Sequence, residues 1–123
     1  MDTAEDISRR YFELSNAAKL NDIAELFEVE ATYSSDHTGL YFGLHDIMAM
    51  MTAFFQNHQS LHWQINQLRN LSDEMVEIEF TLQRTTAGGE QQTTQGIERL
   101  VINQGNNIDA KYGFHLGLCK QIV

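Results

Sequence analysis

Three side chains have the types needed to move a proton beside a carbonyl group: Tyr11, Asp36 and Glu98. A tyrosine hydroxyl can donate a hydrogen bond to the carbonyl oxygen. A carboxyl group facing an apolar cavity is desolvated, holds its proton and becomes a second donor. A further carboxylate then serves as general base. Tyr11 falls on the apolar stripe Ile7, Tyr11, Leu14, Ala18, whose i, i+4, i+7, i+11 spacing marks one face of a helix. Glu98 stands among Ile97, Leu100 and Ile102, and Asp36 follows the strand-like run Val29, Ala31, Tyr33, Ser35. Each residue has a plainer reading. Tyr11 would be a core tyrosine bonded to a backbone carbonyl. Glu98 would pair across strands with Arg84 or Lys111, or lie in water. Asp36 would be a turn residue satisfying its own backbone.

The histidines point less clearly to chemistry. His58 ends the apolar face Ile47, Met51, Phe54, Phe55 of a third helical pattern, where it reaches a pocket mouth or caps the last carbonyls. His62 alternates with Trp63, so one of them faces inward, and Trp63 has the stronger apolar claim. His115 alternates in the same way with Phe114 and Leu116. His37 and His45 lie near Asp36 and Asp46, but that spacing matches no metal-ligand pattern, so no metal site is expected. No glycine-rich phosphate loop and no Ser-His-Asp pattern stands out. Cys119 has only Lys120 as a basic neighbour, which argues against a nucleophilic thiol. No cofactor is expected.

The elements that position these residues follow from periodicity. Helices are expected over 4–18, 23–27 and 44–57, the first capped by Asp2 or Thr3 and the second by Asn21 or Asp22. A strand separates the second helix from the turn at Ser34-Ser35-Asp36-His37-Thr38-Gly39, and Leu40-Tyr41-Phe42 reads as a short edge strand. After the third helix everything alternates with period two. Leu61, Trp63 and Ile65 face one way, as do Val76, Ile78, Phe80 and Leu82, with Glu77 and Glu79 opposite. A hairpin turn at Ala87-Gly88-Gly89-Glu90 leads to a strand over 91–103, then to a last strand with Ile108, Ala110, Tyr112, Phe114, Leu116 and Leu118 on one side. This order predicts an α+β fold. A curved, mostly antiparallel sheet forms a cone, and three helices from the N-terminal half cross its concave face.

The chain has 123 residues, which suits one domain over 1–123. Its net charge of −9 argues against nucleic acid and anionic membrane partners, which need a basic surface. A single cysteine fits a reducing compartment, no apolar run reaches the ~20 residues of a membrane span, and the N-terminus lacks the pattern of a signal peptide. A cytoplasmic protein is expected.

The stretches Arg10-Tyr11-Phe12, 19–27, Ala31-Thr32-Tyr33 and Gly43 with Ile47 resemble the nuclear transport factor 2-like superfamily, the cystatin-like cone, and especially its SnoaL-like members. That resemblance implies a hydrophobic pocket, a homodimer formed through the outer sheet face (His62, Gln64, Glu77, Glu79, Arg99, Lys111), and a small apolar ligand. Ketosteroid isomerase in this superfamily uses a tyrosine and a protonated acid as an oxyanion hole, and Tyr11 and Glu98 resemble those positions. Its catalytic base position falls on Ser35, with Asp36 next. Leu61-His62-Trp63 with Asn66 resembles the strand bearing the first catalytic histidine of scytalone dehydratase, although Glu79–Gln83 holds no second histidine. The reading is therefore a small-molecule pocket protein, an isomerase, dehydratase or cyclase without cofactor. Tyr11, Asp36 and Glu98 are its candidate catalytic residues, and Tyr33, Ser35, Phe54, His58, His62, Trp63 and Phe114 its pocket. A non-catalytic binder of an apolar ligand, or a dimeric interaction module, is the alternative.

Overall fold

Thr3 starts the first helix. Its hydroxyl accepts from the Asp6 backbone N–H, and the Asp6 carboxylate accepts from the Thr3 N–H, which closes a capping box. The computed structural model describes residues 2–36, 39–103 and 107–115. Helix α1 spans Ala4–Asn16, α2 Leu20–Leu26 and α3 Leu44–Gln56. The strands are β1 Phe27–Ser35, β2 Gly39–Phe42, β3 His58–Asn70, β4 Met75–Thr86, β5 Gln91–Ile102 and β6 Ile108–His115. Helix α2 begins at Lys19 with no side-chain cap, so neither Asn21 nor Asp22 caps it as expected.

The six strands form one sheet in the order β2-β1-β6-β5-β4-β3. Only β1 and β6 run parallel; every other pair is antiparallel. Chain order and spatial order differ because β1, made early, sits beside the last described strand. The helices pack on one face: α1 against β3, β4 and β5, and α3 against β1, β2 and β3. This is the expected α+β arrangement of a curved, mostly antiparallel sheet with three helices laid over it.

Alternation holds along the long central strands. Val76, Ile78, Phe80 and Leu82 of β4 face the helices, as do Thr94, Gly96, Glu98, Leu100 and Ile102 of β5. They meet Ile7, Tyr11 and Phe12 from α1, Ile23 and Leu26 from α2, and Ile47 and Met51 from α3. Gly43 makes the entry to α3. It holds φ +88°, a left-handed conformation that other residues rarely adopt, while its N–H donates to the Ala31 carbonyl at 2.7 Å.

Alternation fails at two places, and both matter. In β1, Phe27, Ala31 and Tyr33 are buried while Val29 is 70% exposed, because the pairing with β6 is irregular between Phe27 and Thr32. Val29 therefore does not point inward as expected. In β6, Val101 pairs with Ala110 but Ile102 pairs with Ile108, so Asp109 is an extra residue, a β-bulge. One extra residue reverses which face the following side chains occupy. Ile108 and Lys111 consequently both point inward, and Lys111 is not on the outer face where the pattern put it.

The outer face carries a charge cluster. Arg69 donates to Glu77 at 2.6 Å and to Glu79 at 3.0 Å, and Arg99 donates to Glu77 at 2.8 Å. The two guanidinium groups cover Glu77 so well that it is buried on the solvent side of the sheet. Their hydrogen bonds hold its carboxyl below the usual carboxylate range, against the opposing effect of burial. A lowered folded value means Glu77 contributes stability above its unfolded value and loses it as pH falls through the folded one. Urea unfolding of Glu77→Gln should therefore lose less stability than the wild type between about pH 7 and about pH 3. An equal or larger loss in the variant would contradict this.

Candidate functional site

Between α1, α3 and the inner sheet face lies a cavity of about 100 Å³. Its wall is aromatic and sulfur-rich: Phe12 from α1, Met50, Met51, Phe54 and Phe55 from α3, Trp63 from β3, and Phe80 and Leu82 from β4. The rings brace one another. Phe12 meets Phe80 edge-on at 6.0 Å, and Phe55 lies 5.8 Å from Trp63. Asn16, at the end of α1, fixes Trp63 by accepting from its backbone N–H at 2.7 Å and donating to its carbonyl at 2.9 Å. Ser15 lines the same space, but its hydroxyl donates to the Tyr11 carbonyl one turn back.

The polar part of the lining is small and concentrated. Lys111 donates to Glu98 at 2.8 Å, with the two side chains 4% and 8% exposed. The same ammonium donates to the Tyr33 hydroxyl at 2.5 Å and lies 5.6 Å from the centre of the Tyr11 ring. Burial alone would favour the neutral amine. The Glu98 carboxylate and the Tyr11 and Tyr33 hydroxyls outweigh it, so the Lys111 pKa stands well above its ordinary value. Burial pushes the Tyr11 hydroxyl far above the usual tyrosine value, so Tyr11 is a neutral donor. The second oxygen of Glu98, Oε2, is buried and has no hydrogen-bond partner among the described residues, and neither has the buried Thr94 Oγ1. Arg84 completes the polar set at a less buried point of the lining.

This geometry sorts the residues singled out from sequence. Tyr11, Tyr33, Ser35, Phe54, Trp63 and Glu98 line one cavity. Glu98 both faces the cavity and pairs with Lys111, accepting from its ammonium through Oε1. Asp36 is exposed in the turn after β1 and is not part of the lining. His58 lies outside it too: Nδ1 is 2.7 Å from the Phe54 carbonyl, which is the capping role, and the ring lies tilted against Phe54 with centres 4.5 Å apart. His62 is exposed on the far side of β3, opposite Trp63. The side chain of Phe114, like residues 37 and 116–123, lies outside what is described. Lys111, Arg84 and Thr94 were missed as site residues. The signal for Lys111 was a lone cation in an apolar strand, beside a segment bearing Glu98. Among the described residues no three metal-ligating side chains converge, and no helix is long and apolar enough to cross a membrane.

The SnoaL-like domain family matches residues 8–108, which spans every element through the start of β6. The chain belongs to the SnoaL-like domain family. No match is found among curated proteins. Solved structures share the fold at low identity. An NTF2-like protein from Exiguobacterium sp. 255-15 superposes with a TM-score of 0.82 at 17% identity, over 90% of this chain and 98% of that one. A Mycobacterium tuberculosis protein in complex with estradiol-17beta-hemisuccinate superposes with a TM-score of 0.84 at 12% identity, over 96% and 98%. SalBIII, described as an epoxide hydrolase/cyclase-like enzyme in pyran ring formation, gives 0.84 at 13% identity, over 94% and 92%. The SnoaL-like fold thus places helices over a curved sheet, and the cavity between them carries this chain's own polar set.

Removing one member of a buried ion pair leaves the other charged and unpaired, which costs about 3–5 kcal/mol, whereas replacing both by apolar groups is close to neutral. Lys111→Met should therefore be destabilised by about that amount in urea unfolding. Adding Glu98→Leu to it should restore much of the loss. Simple additivity of the two single changes would show that the charges do not depend on each other.

Proposed function

We propose that this SnoaL-like protein is a cofactor-independent isomerase or cyclase that enolises a small, largely apolar ketone. The observation that carries the reading is the buried Glu98–Lys111 pair, whose open carboxylate oxygen belongs to an otherwise apolar cavity. Tyr11 donates to the substrate carbonyl, and the Lys111 ammonium supplies the positive charge beside it. Glu98 Oε2 removes a proton from the adjacent carbon. The electron pair of that C–H bond moves into the enolate, and the negative charge arrives on the oxygen that Tyr11 and Lys111 face. Returning the proton to another carbon completes an isomerisation. Attack of the enolate carbon on a second carbonyl of the same molecule completes a cyclisation, with the proton passing from Glu98 to the new alkoxide.

The electrostatics support this division of labour. A fixed ammonium and a neutral hydroxyl in a dry cavity stabilise developing oxyanion charge far better than water does. Glu98 is the base here because Ser35 supplies a hydroxyl at the strand position where ketosteroid isomerases carry a carboxylate, and Asp36 is exposed. The apolar wall suits a ring compound, in keeping with the steroid ester in the mycobacterial structure and the ring chemistry of SalBIII. Ligand binding without turnover is the second reading, favoured by the same hydroxyl at Ser35 and by the mutual neutralisation of Glu98 and Lys111.

Trp63 is the only tryptophan in the chain and lines the cavity, so its fluorescence reports occupancy. A naphthol, as a mimic of the enolate oxygen, should quench it. Tyr11→Phe and Glu98→Gln should each change the naphthol affinity, and unchanged affinity in both would end the oxyanion reading. Deuterium exchange into tetralone, followed by proton NMR, reads the base directly. The wild type should exchange the protons beside the carbonyl faster than buffer. Glu98→Gln should lose roughly a hundredfold or more of that rate. Binding with no exchange above buffer would leave the ligand-binding reading in possession.

A further inference from the structure

The proton chemistry above uses Tyr11, Lys111 and Glu98 and gives Tyr33 no part. Tyr33 lies on β1 directly across from Lys111 in the parallel pairing of β1 with β6. It is buried and lines the same cavity. Contacts on two sides set its position. The Lys111 ammonium sits 3.9 Å from the centre of its ring, and Tyr41, its partner on β2, meets the ring edge-on at 6.2 Å.

The bond to Lys111 fixes the polarity of the hydroxyl as well as its place. An ammonium has three hydrogens to give and no lone pair, so in the 2.5 Å contact Lys111 donates and the Tyr33 oxygen accepts. The phenol keeps one hydrogen of its own, which points away from the ammonium. Among the described residues Lys111 is the only hydrogen-bond partner of the Tyr33 hydroxyl. Accepting from a cation polarises the O–H bond and makes it a stronger donor. Tyr11 is the second tyrosine beside this ammonium, with its ring centre 5.6 Å from Nζ. Both tyrosines act on the Lys111 charge, and Tyr33 acts on the proton of Tyr11, so the two hydroxyls share one charged centre in the cavity lining.

We propose that Tyr33 is a second hydroxyl donor to the ligand oxygen, and that Tyr11 and Tyr33 together form a two-point site for an oxygen of enolate or phenolate type. Besides the charge it supplies, Lys111 is a positioning residue, because it holds the Tyr33 hydroxyl with its hydrogen free for the ligand. The enolate as natural occupant rests on the enolisation proposed above; the two-hydroxyl oxygen site does not. An enolate oxygen accepts from both hydroxyls more strongly than the ketone it came from. The second donor therefore acts mainly as charge develops, which is where it accelerates the reaction.

Isothermal titration of a naphthol against naphthalene tests the site, since the two share their rings and differ by one oxygen. The wild type should prefer the naphthol by roughly tenfold or more. Tyr33→Phe should remove much of that preference and leave the naphthalene affinity in place. 3-Fluorotyrosine placed at position 33 alone gives the sign. It is a more acidic phenol, hence a better donor and a poorer acceptor. A donor to the ligand should raise the naphthol preference, whereas a hydroxyl that only accepts from Lys111 should lower it. The inference is overturned by an unchanged preference in Tyr33→Phe, by a loss falling on both probes alike, or by a preference that fails to rise with fluorotyrosine. Equal binding of the two probes by the wild type, or binding of neither, overturns it as well. Deuterium exchange into tetralone separates the two proposals. A Tyr33-dependent naphthol preference without exchange keeps the oxygen site and removes the enolisation. Exchange that Tyr33→Phe leaves at the wild-type rate keeps the enolisation and removes Tyr33 from it; the expected loss is roughly a hundredfold.

Discussion

One salt bridge organises the interior of this protein. Lys111 and Glu98 are both almost completely buried, and neither charge is tolerable there without the other. Everything that holds them is arranged for contact. The bulge at Asp109 turns Lys111 inward, strict alternation along β5 brings Glu98 to the same side, and Tyr33 on the parallel neighbour β1 takes another hydrogen from the ammonium. Replacing such a pair by apolar residues usually leaves a fold no less stable. Stability alone therefore gives no reason for its presence; the proposed enolisation would.

The apolar wall makes the pair consequential. In water, an ammonium beside an oxyanion gains little, because the solvent already screens the charge. Behind Phe12, Phe54, Phe55, Trp63 and Phe80 that screening is weak. The wall in turn depends on local chemistry in the helices. Thr3 and Asp6 set the start of α1, which decides that Tyr11 and Phe12 face the sheet. Asn16 ties the other end of α1 to Trp63. Gly43 then lets the chain swing from β2 into α3, which brings Met51 and Phe54 over the cavity.

How much of this was legible in the sequence depended on whether period alone decided the question. The helices, the hairpin at Ala87–Glu90 and the inner face of β4 follow from simple apolar spacing, so Tyr11 and Trp63 could be placed before any coordinates, whereas Glu98 kept a cross-strand reading beside the cavity one. Lys111 could not. Its orientation depends on one surplus residue, and a β-bulge leaves no trace in a period-two pattern read one strand at a time. The same is true of Val29, whose strand breaks register against β6. Arg84 was weighed only as a cross-strand partner for Glu98, although it continues the alternation Val76, Ile78, Phe80, Leu82 that faces the cavity.

The two faces of the sheet carry the same kinds of charge to opposite effect. Outside, Arg69, Arg99, Glu77 and Glu79 form a closed cluster in which Glu77 is bonded through both oxygens. Glu77 has no oxygen left there for a ligand, and the arginines remain half-exposed and screened by water. Inside, Glu98 is bonded through Oε1 only, and the buried Thr94 hydroxyl is unmet among the described residues. Buried groups with unused bonding capacity are unfavourable in a structural network. They are what a site needs, because the missing partner can be the substrate. By that criterion the inner face, where Glu98 Oε2 and Thr94 Oγ1 lack partners among the described residues, is the one suited to a ligand.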